Sequence, residues 1–138
     1  MAASSYAGNK ILDLLLRGVA FSAPSRVWIS LHTADPALTG ANEVSLVAWP
    51  AYARQDPAGG EAAATGFSPA DAKTTRNALW IAFPAIDGAS PVTVTHFAIW
   101  DAATAGNCLL VGVLKLPITY LPTDEAVILA DALDITVT

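Results

Sequence analysis

A period of two in side-chain character, cut about every 8 to 12 residues by proline, glycine or asparagine, restricts this chain to antiparallel β folds. Val27, Ile29, Leu31 and Thr33 alternate with Trp28, Ser30 and His32, the pattern of a strand with one aliphatic and one mixed face. Asp35-Pro36 ends the pairing because proline has no amide hydrogen, and Thr39-Gly40-Ala41-Asn42 tolerates tight or left-handed turns, so an ordered loop is expected. Farther on, Asn77, Leu79, Ile81 and Phe83 oppose Ala78, Trp80 and Ala82, until Pro84 and a turn at Asp87-Gly88. From Val92 to Trp100 the alternation places Val94, His96, Ala98 and Trp100 on one side and Phe97 and Ile99 on the other. Ala105-Gly106-Asn107 then turns the chain into Cys108–Leu116, whose apolar run predicts a central strand buried on both faces. Pro117 and Pro122 delimit Ile118–Leu121, Ala126–Leu129 follows, and Leu133, Ile135 and Val137 close the chain. These signals predict a mainly β, single-domain antiparallel β-sandwich, jelly-roll-like, of roughly seven or eight short strands over residues 1–138.

One helix precedes the strands. Ser4 or Ser5 caps it, Ala7, Ile11, Leu14 and Leu15 share a face, Lys10, Asp13 and Arg17 share another, and Gly18 terminates it after Arg17. It either packs across one end of the sandwich or reaches a neighbouring subunit. The aliphatic face favours docking on its own domain. Ser45–Pro50 reads as an edge or a connection, Tyr52–Gln55 as the start of a second strand, and residues 56–75 as a long loop anchored by Phe67. A loop of that length is usually either functional or a wrong assignment of elements, and in an assembly it could be the part that touches a neighbour.

The run Trp28–Pro36 with Thr39–Val44, then Tyr52–Gln55, Val94–Thr104 and Ala130–Val137, resembles in order the landmarks of a family of small bacteriophage virion proteins. That family is commonly labelled tail fibre or minor structural protein, and some members of this build act as capsid cement. The resemblance implies a structural protein of the virion, made in the host cytoplasm, whose partners include other virion proteins such as the major capsid protein.

Composition agrees with an assembly component. Charged residues make up 14% of the chain and apolar residues 54%, against a charged share of about 25% in ordinary soluble domains, so part of the surface is expected to lie against other subunits. A homotrimer is the expected assembly, because closed symmetry buries identical apolar patches. The net charge of -5 and the scattering of seven basic residues argue against nucleic acid, and no apolar run reaches the roughly 20 residues of a membrane helix. The start, Met1 to Ser5, has neither the basic region nor the apolar segment of a signal peptide.

The residues with chemical potential are few. His32, Asp35, His96 and Asp101 stand at strand ends and could bind a metal, but their spacing matches no metal motif, and the alternative is that they hydrogen-bond turns. Ser30 lacks a glycine elbow, and the lone cysteine, Cys108, sits in an apolar run. No enzymatic activity, cofactor or metal is expected. Trp28, Trp49, Trp80 and Trp100 could form a sugar-stacking platform, but each stands among alanines and aliphatics, which suits a core or a subunit interface better. Trp28, His32, Asp35, Tyr52, Arg54, His96 and Trp100 are therefore the expected interface or structural residues. With no repetitive shaft in the sequence, capsid cement ranks ahead of a tail-fibre or appendage role in host-surface or glycan binding.

Overall fold

The computed structural model describes residues 1–137. Along them run β1 (Ala2–Ala3), α1 (Ser5–Arg17), β2 (Trp28–His32), β3 (Thr74–Arg76), β4 (Ile81–Ala82), β5 (Val92–Trp100), β6 (Cys108–Tyr120), β7 (Val127–Ile128) and β8 (Asp134–Thr136). The chain is mainly β with antiparallel sheets and one helix, as the alternation predicts. The largest sheet has the order β1-β6-β5-β2, while β3 pairs with β8 and β4 with β7 as two-stranded ribbons.

The core lies between that sheet and the ribbons. Ile29, Leu31, Val94, Phe97 and Ile99 from the sheet meet Ile81, Phe83, Ile128, Leu133 and Ile135 from the other layer. Trp49 sits fully buried in this core, its ring 5.4 Å from that of Tyr52 and 6.4 Å from those of Phe83 and Tyr120. A smaller cluster of Ala98, Trp100, Cys108 and Val111, with Trp28 against it, occupies the other face of the sheet.

The strands differ from the alternation in three places. Val94 opposes Ile118 but His96 opposes Val113, so β6 carries extra residues around Pro117, and the register shift turns Val94 into the same core as Phe97. A proline without an N–H is a natural place for such an irregularity. Contrary to expectation, β6 is not buried on both faces: Val113 and Leu116 are exposed. The expected strand Asn77–Phe83 shrinks to Ile81–Ala82, because the buried Asn77 amide itself takes the backbone partners of a ladder. Its Nδ2 donates to the Leu79 and Leu129 carbonyls, both at 2.8 Å, and its Oδ1 accepts from the Leu133 N–H at 2.9 Å. Tyr52–Gln55 likewise contributes only a bridge between Gln55 and Ile29.

Residues 56–75 are ordered by their own side chains. The Asp56 carboxylate accepts from the Ala58 N–H at 2.8 Å and the Gly60 N–H at 3.1 Å and is paired with Arg26. Phe67 packs against the core, as expected of an anchor. The loop ends inside its expected span, where β3 begins at Thr74.

The helix has the expected caps. Ser4 Oγ accepts from the Ala7 N–H at 3.0 Å and also donates to the Cys108 carbonyl, and Gly18 takes the left-handed conformation at φ 65°. Its docking is narrower than expected. Ala7 is the buried residue of the helix, whereas Ile11 and Leu14 are half exposed and Leu15 is 73% exposed. The edge strand β1 is only two residues long, so the sheet offers a seat to the first turn of α1 and little beyond it.

Candidate functional site

Antiparallel pairing of β2 with β5 sets Trp28 opposite Trp100, Ser30 opposite Ala98 and His32 opposite His96. On this mixed face the polar atoms form a chain. Trp100 Nε1 donates to Ser30 Oγ at 2.7 Å, and Ser30 Oγ lies 2.7 Å from His32 Nε2. His32 Nδ1 lies 2.7 Å from the Ala41 carbonyl. A carbonyl only accepts, so Nδ1 carries the proton, Nε2 is the acceptor, and Ser30 donates to it. This assignment leaves His32 neutral with both nitrogens engaged. Burial, the largest influence, also holds its pKa below the ordinary histidine value.

The loop between His32 and Glu43 is built to close over Trp100. Asp35 Oδ1 accepts from the Ala37 N–H at 2.8 Å, and Asn42 Nδ2 donates to the Asp35 carbonyl at 2.7 Å. Gly40 has φ 79°, and a Cβ there would lie 2.3 Å from the Trp100 ring, so only glycine fits. Next to it, Glu43 takes the Arg54 fork: Nε donates to Oε1 at 2.9 Å and Nη2 to Oε2 at 2.7 Å. The guanidinium carbon stands 3.6 Å above the Trp100 ring centroid, and Nη1 donates to the Ala102 and Ala105 carbonyls. Those carbonyls are presented by a turn that Asp101 holds, accepting from the Asn107 N–H and side-chain amide. Tyr52 completes the cluster, its hydroxyl donating to Glu43 at 3.1 Å and accepting from the Leu31 N–H at 2.9 Å. Burial first, and then the Glu43 charge, drives the Tyr52 pKa up.

The structure thus gathers His32, Tyr52, Arg54 and Trp100 around one loop, with Asp35 shaping that loop from within and Trp28 packed against the cluster that holds Trp100. His96 stays apart, bonded through Nδ1 to Thr95 Oγ1 at 2.7 Å. Asp35 and His96 share only the rim of a shallow hollow of about 310 Å³ with Met1 and Pro36. A second hollow of about 300 Å³ lies beside Glu43, Tyr52 and Arg54 and is bordered by Leu46 and Thr104. Among the described residues, no three His, Cys, Asp or Glu side chains converge as metal ligands. Cys108 is buried, and its thiol pKa is pushed up to about 11 by that burial.

Ser30, Gly40 and Glu43 are the members that residue-by-residue reading missed. Glu43 had only a partial signal, an acid between Asn42 and Val44 in a chain with few charges. Ser30 and Gly40 had none, since their roles depend on where Trp100 arrives. The side chains of Ser30, His32, Glu43, Tyr52, Arg54 and Trp100 each hydrogen-bond another part of the chain, so the arrangement fixes loops.

The buried His32 makes stability depend on pH. Its folded pKa lies below the unfolded value of about 6.5, so the unfolded chain binds more protons as acid is added. The stabilisation is complete above the unfolded pKa and is lost as pH falls through it toward the folded pKa, by up to about 1.4 kcal/mol per pH unit. Urea unfolding of the wild type and of His32→Gln between neutral and mildly acidic pH should therefore give a steeper decline for the wild type. Parallel profiles would remove His32 as the cause.

Against known proteins, residues 2–136 match the family model described as Podophage GP4 fiber I protein gp80. No curated protein matches the chain.

Proposed function

We propose that this chain is a non-enzymatic structural subunit of a phage tail fibre, on the premise that it belongs to the podophage GP4 fiber I protein family. Membership makes it a virion component, and the match across residues 2–136 is the observation that carries the reading. It also reverses the order reached from sequence, where capsid cement stood ahead of an appendage: the family name favours the fibre. The self-satisfied cluster around Trp100 supports a scaffolding role. The surface supports subunit contacts, because Leu15, Leu16, Val47, Trp80 and Leu116 are all exposed. We take the partners to be other copies of the chain, as a homotrimer, together with neighbouring virion proteins.

Purified particles separated into heads and tails provide the test. An antibody to this chain should label the tail fraction, and the recombinant protein should sediment as a trimer at micromolar concentration. Label on heads alone would restore the cement reading, and a stable monomer would remove the trimer.

A further inference from the structure

The loop of residues 33–42 over Trp100 is a nearly self-contained unit. Its own hydrogen bonds run inside it, from the Thr33 N–H to the Asn42 carbonyl, from the Ala41 N–H to the Pro36 carbonyl and through the Asp35 and Asn42 side chains. Among the described residues, only two groups outside the loop bond to it. His32 Nδ1 reaches the Ala41 carbonyl at 2.7 Å, and the Ser5 N–H, in the first turn of α1, reaches the Leu38 carbonyl at 3.1 Å. Apolar anchoring is slight, since Pro36 and Gly40 are the only buried residues of the loop. Ala37 and Asn42 hold left-handed backbone at φ 50° and 60°, which residues with a Cβ disfavour. Such a segment opens locally at far less cost than the sheet beneath it.

The closed loop leaves His32 no place for a second proton. The imidazole is fully buried, and a cation there is stripped of water; the Ala41 bond favours the charged ring, but burial outweighs it. A new Nε2–H would point at Ser30 Oγ, which already accepts from Trp100 Nε1. The hydroxyl would have to turn its own hydrogen to the Ala98 carbonyl, 3.4 Å away and beyond the ordinary range of a hydrogen bond. The charged and titratable groups around the ring do not reverse this. His96, opposite on β5, and Arg54 both oppose a cation. Glu43, bridged to His32, favours one but is already held in the Arg54 fork, and the Asp35 carboxylate is turned to the Ala37 N–H. Buried strands lie behind His32, so the loop is the side from which water can arrive.

We infer that residues 33–42 form an acid-released strap: when His32 takes up a second proton, the strap lifts from Trp100 and frees the first turn of α1 while the core stays folded. The open state binds the extra proton and the closed state resists it, so the strap is fully closed above the ordinary histidine value of about 6.5. Below it the open fraction rises by at most about tenfold per pH unit, the limit for one proton.

Hydrogen exchange on the full-length wild type tests the strap. Gly40 covers the edge of the Trp100 ring beside Nε1, so the Trp100 indole N–H reports its opening. The Trp49 indole N–H, bonded to the Ala85 carbonyl inside the core, reports global opening and cancels the intrinsic pH dependence of indole exchange. From neutral to mildly acidic pH, protection of Trp100 relative to Trp49 should fall by up to about tenfold per pH unit. The Ser5 N–H should lose protection over the same range relative to the amides of β5. In His32→Gln both ratios should be flat with pH, and in His96→Gln they should keep the wild-type slope. The wild type alone can overturn the strap, by parallel loss at Trp100 and Trp49, by ratios that do not change with pH, or by a Ser5 N–H that stays protected while Trp100 is released. A slope that persists in His32→Gln would overturn it as well.

Discussion

Trp49→Ala should lower the free energy of unfolding by about 3 to 5 kcal/mol, a large part of the roughly 5 to 15 kcal/mol that holds a domain of this size. The indole is fully buried among three aromatic rings, and its Nε1 donates to the Ala85 carbonyl at 3.2 Å. Truncation opens a cavity that this rigid aromatic cluster cannot fill and leaves the carbonyl without its donor. The turn that delivers Trp49 is itself specified, with the Trp49 N–H donating to the Ser45 carbonyl at 2.9 Å. Gly88 packs so closely on this turn that an added Cβ would lie 1.9 Å from the Ala48 carbonyl oxygen. Trp80 provides the internal control: it is 67% exposed, and Trp80→Ala should change monomer stability by no more than about 0.5 kcal/mol. Urea unfolding of the two variants side by side checks the pair. Equal losses would mean that the aromatic cluster does not organise the core. Trp28 and Trp100, expected from sequence to be interface or structural residues, belong to the smaller cluster on the other face.

Arg54→Ala should cost about 2 to 4 kcal/mol, somewhat below the range for a fully buried ion pair because Glu43 keeps some contact with water. The Arg54 side chain is 9% exposed and that of Glu43 23%. Removing the guanidinium takes away the fork on Glu43, the cover over Trp100 and the donors to the Ala102 and Ala105 carbonyls in one step. Arg54→Lys should recover only part of the loss, since an ammonium cannot grip both carboxylate oxygens and both carbonyls. Unfolding curves at low and high salt separate this account from a surface pair: the loss should persist in high salt, because a largely buried pair is weakly screened. A cost that disappears with salt would return the pair to the surface class.

How much of this was legible depends on the distance over which each feature is decided. The strands Trp28–His32 and Val92–Trp100, the Ser4 cap and the Gly18 terminator were all readable, because alternation, side-chain capping and left-handed backbone are settled by a few adjacent residues. The low charge and the order of landmarks likewise pointed to a virion protein before any fold was known. The candidate site was half legible: its aromatic, basic and histidine members stood out, but not the reason they meet. That reason is register. Only the pairing of β2 with β5 brings Ser30 beneath Trp100, a residue 70 positions away, and lets a serine, a histidine and an indole satisfy one another. The same holds for Asn77, whose amide replaces a strand, and for the extra residues near Pro117 that turn Val94 into the core. It holds above all for α1. Its sequence determined a helix with capped ends, but the seat available to it was set by the two-residue edge strand beside it, and so only the tertiary structure decided which leucines would face water.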